Sequence, residues 1–274
     1  DEWAEAEKAR IGNERFRREH ECEFLIYDET LIDSIHLADM EAAAPVETTG
    51  QVRWFKRPTP GMTYMVSLDP AMGTGGDYAA IQVFELPTFE QVGEWHHNTT
   101  PMNQQVRILQ SITKHLHEAI MEKDTTATPQ IFYSMENNSI GEAALLRVMD
   151  IGEENIQGMF LSEPIRKGHR RKFRRGFNTT AKHKIDACTK FKELVENNKM
   201  KIHSQLLISE LKDFVASGMS FKAKPGQHDD LVSSCLLMTR MMKVLADFDP
   251  KIFEKWTDRT SELTPMPIFG SFSG

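Results

Sequence analysis

A chain of 274 residues with 40% hydrophobic and 27% charged content is long and apolar enough for one large globular domain or for one domain plus an appendage, and this excludes a wholly disordered chain. No apolar run approaches the length that spans a bilayer, and the N-terminal "DEWAEAEKAR" is acidic and lacks the apolar core of a signal peptide. The formal net charge of −7 argues against a nucleic-acid partner only on average, because 13 Lys and Arg against 4 Asp and Glu fall between Leu161 and Lys201. Cys22, Cys188 and Cys235 are odd in number, far apart and form no CxxC pair. Neither a zinc site nor a disulfide framework is expected from them, and a reducing, intracellular setting fits.

In chain order, residues 1–40 are charged and helix-prone, with apolar residues too sparse for a core of their own. "AAAPVETTGQVRWFKRPTPG" follows, punctuated by Pro45, Gly50, Pro58, Pro60 and Gly61, which marks a connection. The compact domain is therefore expected over residues 61–250, after an extension and linker at 1–60 and before a frayed tail at 251–274. Runs at 62–68, 79–86 and 90–97 are short, β-prone and separated by turns, as in an antiparallel meander. From Pro101, the spacing of Val106, Leu109, Ile112, Leu116 and Ile120 predicts an amphipathic helix. "QIFYSME" (130–136) reads as a strand, and a helix follows with Ser139 as its cap. "GMFLS" reads as a strand and "TTAKHKIDACTKFKELVENN" as a helix capped by Thr179 or Thr180. A strand at Met200–His203, a helix at Gln205–Val215, a strand at 219–223 and a long helix starting near Asp229 complete the pattern. This order predicts an α/β fold: a mixed central sheet with helices on both faces.

The basic segment peaks in "IRKGHRRKFRRGF", Ile165 to Phe177. Arg166, Lys167, Arg170, Arg171, Lys172, Arg174 and Arg175, with Lys182 and Lys184, are candidates to hold nucleic-acid phosphates. A solvated charge run is the plain alternative, and Phe173 and Phe177 serve as loop anchors or as stacking surfaces for bases.

Three acidic positions occupy analogous places. Asp69 ends the first strand of the meander, Glu136 ends the "QIFYSME" strand, and Asp229 and Asp230 open the last helix. Taken singly, Asp69 makes a turn, Glu136 is a surface residue, and Asp229 and Asp230 are acids favoured at a helix start. Taken together, acids at strand ends and a helix start can converge, and converging carboxylates repel each other unless a hard divalent cation binds them. Asp77 is either a fourth carboxylate or a turn former, and His228 is either an outer donor or an exposed histidine. "GTGGD" lacks the Lys-Ser/Thr of a phosphate-binding loop and is not followed by a helix, and there is no GxSxG elbow.

"SLDPAMGTGGDYAAIQVFEL", "YSMENNSIGEA", "TTAKHKIDACTKFKELVENN" and "GQHDDLVSSCLLMTRMM", in that order, resemble the nuclease domain of the large terminase subunit of tailed bacteriophages. "NERFRREHECEFL" resembles the segment that links that family's ATPase domain to its nuclease. The resemblance implies an RNase H-like fold and a metal-dependent endonuclease that cuts concatemeric viral DNA. It places Asp69 as the first carboxylate, Glu136 as the second, and Asp229 or Asp230 as the third, holding one or two Mg²⁺ or Mn²⁺ ions. Double-stranded DNA is the implied substrate in the host cell cytoplasm, with no membrane partner. In the full-length protein the ATPase domain, the portal and the small terminase subunit are the implied partners. The family's ATPase motifs are missing from this chain, so it resembles the nuclease half of a longer protein, and no ATP hydrolysis is expected of it. Two rival readings remain: an RNase H-like junction resolvase, separated by comparing linear with junction DNA, and a non-catalytic module docking DNA or the portal, which would bind without metal and never cut.

Overall fold

The structure, a computed structural model, describes residues 29–164 and 175–248. Its centre is a seven-stranded mixed sheet in the order β1-β2-β5-β4-β3-β6-β7. The strands are β1 (Glu47–Thr49), β2 (Val52–Trp54), β3 (Thr63–Asp69), β4 (Ala79–Leu86), β5 (Glu90–His97), β6 (Gln130–Met135) and β7 (Met159–Phe160). The expected meander is present, with β3 antiparallel to β4 and β4 antiparallel to β5. β6 then joins β3 in parallel, pairing Thr63 with Gln130 through Leu68 with Met135. β1 and β2 extend the sheet on the far side of β5, and Leu31, Ile32 and Leu37 are buried in the core. The sheet and core thus draw on residues upstream of Gly61.

Helices cover both faces, which is why all eight residues of β4 are buried. On one face lie α2 (Met102–Lys123) and α3 (Ser139–Ile151); on the other lie α4 (Ala181–Glu196), α5 (Gln205–Asp213) and α6 (Asp230–Phe248), while the short α1 (Ser34–Asp39) packs on α5. Strand alternation divides the core in two. Tyr64, Val66 and Leu68 meet the buried stripe Val106, Leu109, Ile112, Leu116 and Ile120 of α2. Met65, on the opposite side of β3, meets Leu231, Cys235 and Met238 of α6.

Local chemistry moves several boundaries. Asn138, not Ser139, caps α3, because its extended backbone lets Oδ1 accept the amides of Ile140 and Gly141 at 3.0 and 2.8 Å. Thr180 caps α4, its Oγ1 accepting from the His183 amide at 3.3 Å. α5 stops at Asp213, because Phe214–Ser217 turns into β8, a hairpin partner of β9 (Ser220–Ala223). The strand expected at Met200–His203 reduces to a bridge between Lys201 and Glu90, with the Lys201 amide donating to Phe89 O at 2.9 Å. Among the described residues, no helix is long and apolar enough to cross a membrane.

Candidate metal centre

The parallel register of β3 and β6 sets Asp69 beside Glu136. Leu68 pairs with Met135, and the Glu136 amide donates to Leu68 O at 3.2 Å, so the chain reaches both acids at the same edge of the sheet. Both follow the alternation to the α6 side: Met65, Ser67 and Asp69 on β3, and Phe132, Ser134 and Glu136 on β6 and its continuation. Beyond the strand, Glu136 is held by Phe177: the Phe177 amide donates to Met135 O at 3.1 Å, and the Asn137 amide donates to Phe177 O at 2.7 Å. Gly141 is required here, because a β-carbon on it would collide with the carbonyl oxygen of Glu136. The first turn of α3 therefore seats directly on the residue that carries the carboxylate.

α6 delivers the other two acids. Ser67 Oγ donates to Ser234 O at 2.9 Å, and Ser234 Oγ donates to Ser67 O at 3.0 Å. Both serines are fully buried. The pair stands two residues from Asp69 along β3 and one helical turn from Asp230 along α6, so it fixes how the two acid-bearing elements approach. Asp230 Oδ2 accepts from the Tyr78 amide at 3.3 Å and lies 3.6 Å from His228 Nδ1. Asp229 Oδ2 accepts from the Ala223 amide at 3.3 Å and lies 3.8 Å from Lys184 Nζ.

The electrostatics record the crowding. Burial, then the charge and hydrogen bond of Glu136, then Asp230 and Asp229, hold the Asp69 carboxyl well above the usual range. Burial pushes Asp230 up to about 6 despite the Tyr78 amide, and the Asp229 and Asp77 charges add to the rise. Among the described residues, no group of three or more His, Cys, Asp or Glu side chains is already gathered at ion-binding distance. Asp69 and Glu136 form a close pair that Asp229 and Asp230 face from α6, which is looser than the convergence expected from the sequence. The donor chemistry nevertheless fits a hard cation: all four groups are carboxylates, all are partly open to solvent, and the repulsion on Asp69 is of the kind a bound divalent ion offsets.

Residues 66–241, the span from β3 into α6 that contains all four acids, match the terminase RNase H-like domain family. The chain belongs to that family. Its fold is also that of solved terminase nucleases. The large terminase nuclease of the thermophilic phage G20c with bound magnesium superposes with a TM-score of 0.57 at 16% identity, covering 77% of this chain and 97% of that one. The cobalt-bound form of the same protein gives 0.56 at 16% identity, covering 77% and 97%. The large terminase nuclease domain of Thermus phage P74-26 gives 0.52 at 17%, covering 75% and 93%.

Of the basic residues singled out in the terminase domain, Arg166, Lys167, Arg170, Arg171, Lys172 and Arg174 lie outside the described residues. Lys182 is exposed near the start of α4. Arg175 is paired with Glu153 and lies over the Phe160 ring, and Lys184 faces Asp229 and lies over the Phe214 ring, so neither points simply into open solvent. Phe177 is an anchor, fully buried beneath the Arg240 guanidinium.

His228, named from the sequence as an outer donor or an exposed histidine, lies beside Asp230, but sequence reasoning missed Tyr78, His96 and Glu210. Tyr78 stacks on His96 at 4.2 Å between ring centroids and meets His228 edge-on at 4.8 Å. His96 Nε2 lies 3.6 Å from Glu210 Oε1. Burial, reinforced by the Arg53 charge, lowers His96 to about 4, and burial raises Glu210 to about 9, so near neutral pH this contact joins two uncharged groups. One signal was available in the sequence: Glu210 interrupts the buried stripe Leu207, Ile208, Leu211 of α5, where a carboxylate is costly without a task.

Proposed function

We propose that this terminase domain is a metal-dependent DNA endonuclease that cuts concatemeric viral DNA during genome packaging. The observation that carries the proposal is the pairing of Asp69 and Glu136 at one sheet edge with Asp229 and Asp230 facing them from α6. Asp69, Glu136, Asp229 and Asp230 would hold Mg²⁺ or Mn²⁺. The magnesium and cobalt bound to the G20c nuclease, a protein of the same fold, favour a divalent ion here. Bound there, one or two such ions would supply activation of the attacking water and charge stabilisation on the leaving 3′ oxygen. The protein's own part is positional. β3 and β6 hold two carboxylates on a rigid sheet edge, and the Ser67–Ser234 pair holds the helix that brings the other two.

Phosphate binding falls to Lys182 and the arginine-rich segment Arg166–Arg174, with Arg175 at its end, giving little sequence preference and steep salt dependence. Lys184 belongs to the acid cluster as a counter-charge to Asp229. In the full-length protein this region, 61–250 with its upstream strands, would follow an ATPase domain and act with the portal and small subunit on double-stranded DNA in the host cytoplasm.

The test is plasmid cleavage by the wild-type chain and the Asp69→Ala variant in Mg²⁺, Mn²⁺ and EDTA. Metal-dependent nicking or linearisation, absent in the variant, is expected. A folded wild-type chain that binds DNA and cuts in neither metal would favour a docking module instead.

A further inference from the structure

α6 starts without the cap its own sequence offers. An aspartate at the N-cap ordinarily turns its carboxylate back onto the second or third amide of its helix. Asp229 holds that position: α6 runs from Asp230, and Asp229 O accepts from the Ser233 amide at 2.7 Å. Its carboxylate is nevertheless directed away from the helix, to the Ala223 amide and Lys184. A residue of another helix takes an amide it forgoes. The Val232 amide, third in α6, donates to Glu210 Oε2 at 3.1 Å.

Glu210 is itself well placed to do this. α5 is fixed at its start by Ser204, which caps the helix through the Leu207 amide while donating to Glu94 Oε1 at 2.5 Å. The Gln91 side chain accepts the His203 and Ser204 amides at 2.8 Å each. The second oxygen of Glu210 rests against His96, whose ring lies on Tyr78, and the Tyr78 amide holds Asp230. One side chain therefore braces the elements around both aspartates.

We propose that Glu210 is a surrogate N-cap of α6, a positioning residue that frees the Asp229 carboxylate for the acid cluster. The proposal rests on the metal-nuclease reading of that cluster. Without Glu210, the Val232 amide loses its acceptor, and Asp229, at the N-cap, is the residue whose side chain ordinarily takes it. Turning back onto it would take Asp229 out of the site.

The test is Mn²⁺ affinity, by electron paramagnetic resonance or calorimetry, together with amide exchange at Val232 in metal-free protein. It compares the wild-type chain with Glu210→Ala, Glu210→Gln and Asp229→Asn and with the double variant Glu210→Ala/Asp229→Asn. Glu210→Ala is expected to weaken Mn²⁺ binding by roughly tenfold or more, the range for losing a partner that orients a ligand. Glu210→Gln keeps an acceptor oxygen and is expected to restore it. In the Asp229→Asn background, Glu210→Ala should cost nothing further, because both changes remove the same carboxylate from the site.

Wild-type affinity in Glu210→Ala overturns the proposal, as does an undiminished loss in the Asp229→Asn background. If Glu210→Ala does not fold, Glu210→Asp carries the same expectation, since one methylene less withdraws the carboxyl from the Val232 amide. A folded wild-type chain that neither binds Mn²⁺ nor cuts DNA would refute the metal reading and the surrogate cap with it. A wild type that binds and cuts beside an unaffected Glu210→Ala would refute the surrogate cap alone.

Discussion

The two faces of the central sheet follow different rules. Toward α2 the contact is mainly apolar side chain on apolar side chain, with Tyr64, Val66 and Leu68 against Val106, Leu109 and Ile112, and the buried Gln105 bonding to Ala71 and Thr100 at the edge of the helix. Toward α5 and α6 the apolar filling is interrupted by Ser67, Gln82, Glu94 and Glu210, each matched to a partner. Ser67 has Ser234, Gln82 has Glu94, and Glu210 has the Val232 amide of α6. The first face contributes non-directional burial, which tolerates small displacements. The second adds directional bonds to its apolar filling, and they specify where an element sits. All four acids lie on that second face, where their separation has to be held.

That contrast can be broken in several ways, and the largest expected effect is on chemistry. Asp69→Asn and Glu136→Ala should each reduce metal-dependent plasmid cutting to the level seen in EDTA. Melting curves in EDTA should show Asp69→Asn at least as stable as wild type, because the change removes a repelled, desolvated carboxylate. A variant that still cuts with normal metal dependence would remove its acid from the centre.

Leu109→Ala, on the apolar face, should do the reverse. Leu109 is fully buried, so the truncation should cost about 2–5 kcal/mol in urea unfolding. Mn²⁺ affinity of the folded fraction should be unchanged, and a shifted affinity would mean that the two faces are not separable.

The acid face should also give the metal-free protein a distinctive pH dependence. Asp230 has a folded pKa raised to about 6 from 3.8, so the folded state holds its proton longer than the unfolded chain does. Its contribution is most favourable below about pH 4 and is lost as pH rises through about 6, on the order of 3 kcal/mol. Asp69 acts in the same direction. Melting temperature in EDTA should fall over that window, Asp230→Asn should flatten the fall, and Mg²⁺ should raise the melting temperature more at pH 8 than at pH 5.

The smallest effect is expected at the serine pair. Ser67→Ala and Ser234→Ala should each cost about 1 kcal/mol. Together they should cost less than the sum, because each removes the other's partner. Strict additivity would show that the exchange of bonds between β3 and α6 contributes nothing as a unit.

Much of this arrangement was legible in the residues. The stripe from Val106 to Ile120 identified α2, the β-prone runs located the meander, and the acids at element ends located the candidate centre. What escaped depended on partners distant in sequence. The fit of β1 and β2 beyond β5 has no local signature, because three-residue strands are defined by what they pair with. α5 ended early because Phe214 found a hairpin partner in Ala223. Tyr78, His96 and Glu210 carry no shared motif, and only the folded chain brings them around Asp230.

The order in which the centre is made has its own consequence. Asp69 comes first along the chain, Glu136 joins it only after α2 has crossed over to lay β6 beside β3, and Asp229 and Asp230 come with the last described helix. A chain emerging from the ribosome folds from its N-terminal side. Until α6 has been synthesised it therefore exposes, at most, half of the centre. A protein that cuts DNA would acquire that capacity at a single late moment, when the rest of its scaffold has already been built.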